Sequence, residues 1–306
     1  MIPREVNPSL TNPPGRLRVG CPVWACEYWR GKLFTRRVPR KEWLHQYSSV
    51  FGTVEGNSTF YALPSHDTIR RWAETTCDGF RFALKFPRSI SHDKRLSQAD
   101  QDTSAFLKTL EILRDSNRLG PSFLQLPPDF GPEKFPLLEA YLRSLPGEFP
   151  WAVEVRNFGW FDQGDHERRL DSLLAELQID KVLFDSRPLY SKPPSDESER
   201  RSQTRKPKTP IRRIATGAHP FLRIVGRNTV LEAKPWIAEW APLIAEWIQS
   251  GQSPFVFTHT PDDTYAPDFA RMLMQEVHKH SESAGPPAEW PGMRESAERP
   301  AQRLLF

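Results

Sequence analysis

Cysteine is scarce: three residues, Cys21, Cys26 and Cys77, in a chain of 306. An odd count without a repeated pair argues against a disulfide framework. Cys21 and Cys26 are near enough in sequence to share a metal, but their spacing matches no strong ligand pattern and no fourth ligand is evident. They read as inert thiols. Long apolar runs are absent too, and no stretch approaches the length of a bilayer span. The opening residues, MIPREVNPSLTNPPGRLRVG, lack the apolar segment of a secretion signal. These absences predict a cytoplasmic protein with no membrane contact. Net charge is small, +4. That permits an anionic partner, phosphate or nucleic acid, without demanding one.

Proline is abundant, with 30 residues, mostly in connections and at the two ends. Residues 1–16 read as a disordered lead. Residues 283–306 read as a Pro-, Glu- and Arg-rich tail that Leu304, Leu305 and Phe306 can dock. Between them, residues 17–282 alternate short β-like runs with helical ones, as βα units of a parallel sheet do. Eight strands are expected, at 17–20, 50–55, 81–85, 122–125, 151–155, 181–185, 221–224 and 254–258. Most are short and apolar, as strands covered on both faces should be. Helices are expected at 65–74, 102–117, 134–144, 168–178, 235–249 and 267–278. Ser65 is placed to cap the first of these. In 235–249, Trp236, Trp240, Leu243, Ile244 and Trp247 recur at helical spacing and read as core packing. The fold class is α/β, a (β/α)8 TIM-type barrel of one domain, with a long irregular loop after strand six. That loop, 186–220, contains no clear helix and is expected on the carboxyl-end face of the strands. Composition suits a monomer and is compatible with a dimer.

Active sites of such barrels sit at the carboxyl ends of the strands. Nearly every expected strand here ends in a polar residue: Glu55 with Asn57 and Thr59 beyond, Lys85, Gln125, Glu154 with Arg156 and Asn157 beyond, Asp185 with Arg187 beyond, Arg223 and His259. Buried charges cost several kcal/mol unless paired, so the set implies either a solvated mouth or a network of pairs. Some pairs, such as Glu154 with Arg156 or Asp185 with Arg187, can serve only to tie loops together. Three chemistries fit the residue types. Glu55 and Glu154 suit acid/base work if their surroundings split their pKa values. Glu55, Glu154, Asp185 and His259 suit a divalent metal. Lys85, Arg156 and Arg223 suit a phosphate or carboxylate. His92, shortly after Lys85, is a further catalytic candidate, whereas His66 reads as a surface residue. Trp24, Trp29, Phe60, Tyr61 and Trp160 fall in mouth-side loops, where they either stack on a planar ligand or pack the loops. Residues 187–213 are strongly basic and suit a phosphate backbone if they line the mouth.

The motifs WRGKLF (29–34), TVEGNSTFYALPS (53–65), FRFALKFPRSISH (80–92), LQLPPDF (124–130), WAVEVRNFGW (151–160), FLRIVGR (221–227) and FVFTHTPDD (255–263) resemble those of the YecE-like family, domain of unknown function 72. The resemblance covers roughly residues 17–280. It implies a (β/α)8 barrel related in architecture to sugar-isomerase and endonuclease-type barrels, but supplies no reaction. The family's recurrent positions fall on Glu55, Asn57, Lys85, His92, Gln125, Glu154, Arg156, Asp185 and Arg223. The chain departs at Pro22-Val23-Trp24, where members often carry Gly-Trp, and at His259-Thr260, where many carry asparagines. The first departure bears on the shape of the first loop, the second on the role of His259.

Together these readings predict an enzyme acting on an anionic, phosphate-bearing substrate by hydrolysis or isomerisation. In it Glu55, Glu154 and His92 are catalytic. Asn57, Lys85, Gln125, Arg156, Arg223, Trp24 and Tyr61 bind substrate, and Asp185 and His259 hold a metal if one is present. The competing reading is a nucleic-acid-binding protein that uses the basic loop and the mouth aromatics. A regulatory protein on a degenerate barrel is the third.

Overall fold

The computed structural model describes residues 15–298. Residues 1–14 of the expected lead, and Leu304, Leu305 and Phe306 of the tail, lie outside the described residues. All eight strands form, each starting within three residues of its expected position: β1 Arg18–Gly20, β2 Thr53–Gly56, β3 Arg81–Leu84, β4 Ser122–Gln125, β5 Trp151–Glu154, β6 Asp180–Asp185, β7 Phe221–Val225 and β8 Phe255–His259. The helices are α1 Trp43–Ser48, α2 His66–Thr75, α3 Asp100–Asp115, α4 Phe135–Ser144, α5 Asp165–Glu176, α6 Glu197–Arg205, α7 Lys234–Gln249, α8 Ala266–His280 and α9 Pro291–Glu298. Ser65 caps α2 as expected, its Oγ accepting from Thr68 N at 3.3 Å.

Every strand pairing is parallel. Six strands form one sheet in the order β1-β8-β7-β6-β5-β4, and β2 pairs with β3. The sheet is curled: Phe123 on β4 and Phe221 on β7, three strands apart in the order, bring their rings to 5.3 Å. The fold is therefore α/β, a parallel half-barrel with a two-stranded companion. Two seams join the sheets. At one, Glu55 N donates to Cys21 O at 3.0 Å. Gly20 permits this approach, since a Cβ there would stand 2.1 Å from the Thr53 carbonyl oxygen. At the other, Phe86 N donates to Phe123 O at 3.0 Å.

Strand alternation places every side chain that matters later. One face of each strand (Val54, Phe82, Leu124, Val153, Leu183, Leu222, Val256) joins the main core under the helices. The alternate residues Ala83, Phe123, Ala152, Val182, Phe221, Phe255 and Phe257 form a separate apolar layer on the concave side. Two positions further along each strand, on that same concave face, come Lys85, Gln125, Glu154, Phe184, Arg223 and His259. An apolar floor thus carries a mostly polar upper layer at the carboxyl ends.

The expectation of no helix between Ser186 and Pro220 is corrected by α6. Its sequence, ESERRSQTR, has no apolar residue, and it is held by polar contacts instead. Asp196 caps it, accepting from Glu199 N at 2.8 Å. Buried Glu199 accepts from Arg227 Nη2 at 2.7 Å and Nε at 3.0 Å, and from Ser195 N at 2.8 Å. In the C-terminal segment, Trp290 is buried beside α8, its ring flanked by Lys32 at 5.7 Å and Arg271 at 5.3 Å. Among the described residues, no helix is long and apolar enough to cross a membrane.

Candidate active site

The upper polar layer is one hydrogen-bonded network centred on Arg223. Its Nε and Nη2 donate to the two oxygens of Glu55, both at 2.8 Å, and its Nη1 donates to Glu154 Oε2. Glu55 Oε1 also accepts from Asn57 Nδ2 at 2.8 Å, and His259 Nε2 lies 3.1 Å from Oε2. Glu154 Oε1 accepts from Arg156 Nε at 2.7 Å and Gln125 Nε2 at 2.8 Å. Gln125 Oε1 in turn accepts from Lys85 Nζ at 2.7 Å. The three central side chains are almost wholly buried. In such surroundings a bidentate guanidinium–carboxylate pair is the arrangement that offsets desolvation.

Charge states follow from this wiring. Burial pushes both carboxyls up, but Arg223 outweighs it, helped by His259 at Glu55 and by Arg156 at Glu154. Glu55 is held well below the usual carboxylate range and Glu154 is lowered to about 2. The pair is therefore not split in the way acid/base partners require; both are held as carboxylates, Glu55 by four donors and Glu154 by three. Burial lowers His259 to about 4, so the neutral ring donates from Nε2 to Glu55. The groups left near neutrality are others. Lys85 is lowered to about 7 by burial and then Arg223. Lys206 is lowered to about 8 by the same two causes. Asp263 is raised to about 7 by burial.

Above the network lies a cleft of about 630 Å3. Asn57, Lys85, Gln125, Arg156, Arg223 and His259 reach it from the strand ends, and Phe60 and Tyr61 from the loop after β2. Helix α6 forms the opposite wall with Ser198, Arg201, Ser202 and Arg205, followed by Lys206. These α6 positions are three or four apart, which puts them on one helix face.

Three other expected residues, Asp185, Trp24 and His92, do not line the cleft. Asp185 follows Phe184, so alternation turns it outward to α7, where Trp240 Nε1 donates to it at 2.8 Å and Arg187 Nη2 at 2.8 Å. Trp24 leaves the cleft to pack edge-on against Trp72, ring centroids 4.8 Å apart. His92 stands one ring away from Lys85: its imidazole meets Phe60 at 5.0 Å and Ser91 Oγ at 2.8 Å, and burial lowers it to about 4. Trp29 and Trp160 are buried and serve the loops; Trp160 Nε1, for example, donates to Phe130 O at 2.8 Å. Among the described residues, no three His, Cys, Asp or Glu side chains converge as metal ligands do, so the expected metal set is not assembled. All three cysteines are free.

In the basic loop Lys208 stands over the Tyr190 ring at 4.2 Å, and the other eight cations fall into two groups. Arg187, Lys192, Arg200, Arg212 and Arg213 are spent in ion pairs with acidic residues of the chain. Arg201, Arg205 and Lys206 line the cleft, and among the described residues their side chains have neither an ion pair nor a hydrogen bond. Residue-type reasoning passed over Lys206 and Asp263. The one signal was their position in stretches already quoted, the basic loop and the end of the FVFTHTPDD motif.

Fold and site thus define a parallel α/β protein with a charged cleft at the carboxyl ends of its strands. The chain belongs to the DUF72 family, described as "Protein of unknown function DUF72", which matches residues 18–293. It is 36% identical over 261 residues to UPF0759 protein YecE of Escherichia coli K12, covering 85% of this chain and 92% of that one. It is 29% identical over 157 residues to UPF0759 protein YunF of Bacillus subtilis 168, covering 49% of this chain and 55% of that one. A DUF72 family protein from Thermotoga maritima MSB8 has a similar fold, with TM-score 0.66 at 22% identity over 86% of this chain and 99% of its own. Another, from Enterococcus faecalis V583, gives 0.65 at 19% identity over 86% and 95%.

Proposed function

We propose that the eight strands work as one closed (β/α)8 barrel, and that the cleft is the reaction site of an enzyme for a small phosphate-bearing anion. Closure is supported by the hydrogen bonds across both seams. The observation that carries the ligand class is the trio Arg201, Arg205 and Lys206, cations without partners among the described residues, on one wall of a concave site. Cations gathered in a walled cleft focus potential on an anion, and guanidinium forks match phosphate oxygens. Thr260 adds a buried hydroxyl oxygen on the same cleft that has no hydrogen-bond partner among the described residues.

In this reading Glu55 and Glu154 are fixed anions that orient Arg223, Arg156 and Gln125. Proton movement falls to Asp263 and the two lysines, whose pKa values lie near working pH. Such groups suit isomerisation, and they suit hydrolysis if Asp263 accepts a proton from water. The nucleic-acid alternative has less support, because five of the nine cations in 187–213 are already paired within the chain.

Calorimetric titration with inorganic phosphate and with glucose 6-phosphate tests the reading. Binding should weaken at least tenfold in the triple variant Arg201→Ala, Arg205→Ala, Lys206→Met, with thermal stability unchanged. Equal affinity in the two proteins would remove α6 from the ligand site and the reading with it.

A further inference from the structure

We propose that Lys85 is a covalent site, its Nζ condensing with the carbonyl carbon of a phosphate-bearing aldehyde or ketone held in the cleft. The inference rests on the anionic-substrate reading only for the ligand's phosphate group.

Lys85 is surrounded by charge yet has no counter-ion. Glu55 spends its oxygens on Arg223, Asn57 and His259, and Glu154 spends its own on Arg223, Arg156 and Gln125. Among the described residues, no carboxylate forms an ion pair with Lys85. Its Nζ has two neutral partners instead: Gln125 Oε1 at 2.7 Å and the Phe60 ring, whose centroid is 4.0 Å away. The amide is also locked in orientation. Because its Nε2 donates to Glu154, its oxygen must face Lys85. A neutral amine satisfies that oxygen with one N–H and keeps its lone pair, whereas a buried ammonium without a counter-ion is costly. Burial and Arg223 lower the group to about 7, in the range where lysine acts as a nucleophile. The residue is 9% exposed and lines the cleft, so a ligand there meets it directly.

The step balances without an oxidant or reductant. The Nζ lone pair forms the N–C bond as the carbonyl π pair moves onto oxygen. One amine proton passes to that oxygen, giving a carbinolamine. The protonated carboxyl of Asp263, which lines the same cleft, supplies a second proton. The hydroxyl then leaves as water, and a protonated imine and the Asp263 carboxylate remain. The positively charged imine is an electron sink for removing a neighbouring proton, which fits isomerisation.

The test uses the full chain at pH 7. It is mixed with glyceraldehyde 3-phosphate or, separately, with unphosphorylated glyceraldehyde, reduced with cyanoborohydride, and mapped by peptide mass spectrometry. Phosphate affinity is measured on the same preparation. The expected result is a secondary-amine adduct on Lys85, formed at least tenfold faster than on exposed Lys41 or Lys279, faster with the phosphorylated probe, and blocked by inorganic phosphate. If phosphate binds but Lys85 labels no faster than Lys41, the imine is overturned and the anion reading stands. If both probes label Lys85 equally and phosphate gives no protection, the imine stands and the anion reading fails.

Discussion

Replacing Arg223 with methionine tests the centre of the polar layer. The guanidinium donates three hydrogen bonds to two carboxylates that are 0% and 1% exposed. Methionine fills much of the volume and supplies no donor. Removing one partner of a buried ion pair costs about 3–5 kcal/mol, because the other charge stays buried. Two carboxylates lose a partner here, but Asn57 and His259 still hold Glu55, while Arg156 and Gln125 still hold Glu154. The expected loss is therefore near the upper end of that range, about 5 kcal/mol, rather than twice it. Against a typical total of about 5–15 kcal/mol, that is severe.

The pH dependence gives a second, independent signature. In the wild type both carboxyls titrate below their unfolded values. Their contribution is present above the ordinary carboxylate range and is lost as pH falls toward about 2. Without Arg223, burial dominates and the folded values rise above the unfolded ones. The sign then reverses: the variant loses stability as pH climbs from the ordinary carboxylate range toward neutrality. Guanidinium unfolding curves at pH 5.5 and pH 8, with equal slopes confirming two-state behaviour, measure both effects. Adding Glu55→Gln and Glu154→Gln to the methionine variant should restore most of the loss, since no buried carboxylate charge remains and Arg156, which loses Glu154, is 17% exposed and reaches the cleft. A cost below about 1 kcal/mol, the range of an exposed pair, would refute the account, and so would an equal cost at the two pH values.

The remaining predictions concern ligand and tail. Phosphate affinity should fall as pH rises through 7 to 8, because Lys85 near 7 and Lys206 near 8 lose their charge in that window; a flat calorimetric profile over that range would remove both lysines from the anion site. Trp290→Ala should cost about 3–5 kcal/mol, as for a buried tryptophan truncated to alanine, and should expose the segment after Ala284 to protease; an unchanged unfolding midpoint would show that the C-terminal segment is not part of the cooperative unit.

Much of the fold could be read from the chain. The strands are short runs covered on both faces, and their carboxyl-end polar residues stand out against apolar neighbours. Less of the site could be read, for two physical reasons. In a run such as Lys181–Asp185, apolar on both faces, nothing marks which alternate residues face inward, so Asp185 and Glu154 look equivalent although one meets α7 and the other the cleft. The second reason is that the periodicity announcing a helix is apolar. Helix α6 buries Glu199 and Ser202 instead and is held by Arg227, so no stripe reveals it. The residues it brings over the cleft were visible only as a basic run. Pairings such as Arg223 with Glu55, 168 positions apart, have no signature in a single sequence.

That separation also bears on how the chain is made. Synthesis runs from the amino terminus at about 5–20 residues per second, and domains fold as units. When Glu55 and Glu154 have been added, the guanidinium that neutralises them has not, and it follows Glu154 by 69 positions. A nascent chain that assembled its first five strands around those carboxylates would bury them without their shared guanidinium, leaving Glu55 with Asn57 and Glu154 with Arg156 and Gln125. The polar layer thus acts as a completeness check, disfavouring a closed interior until β7 has been added.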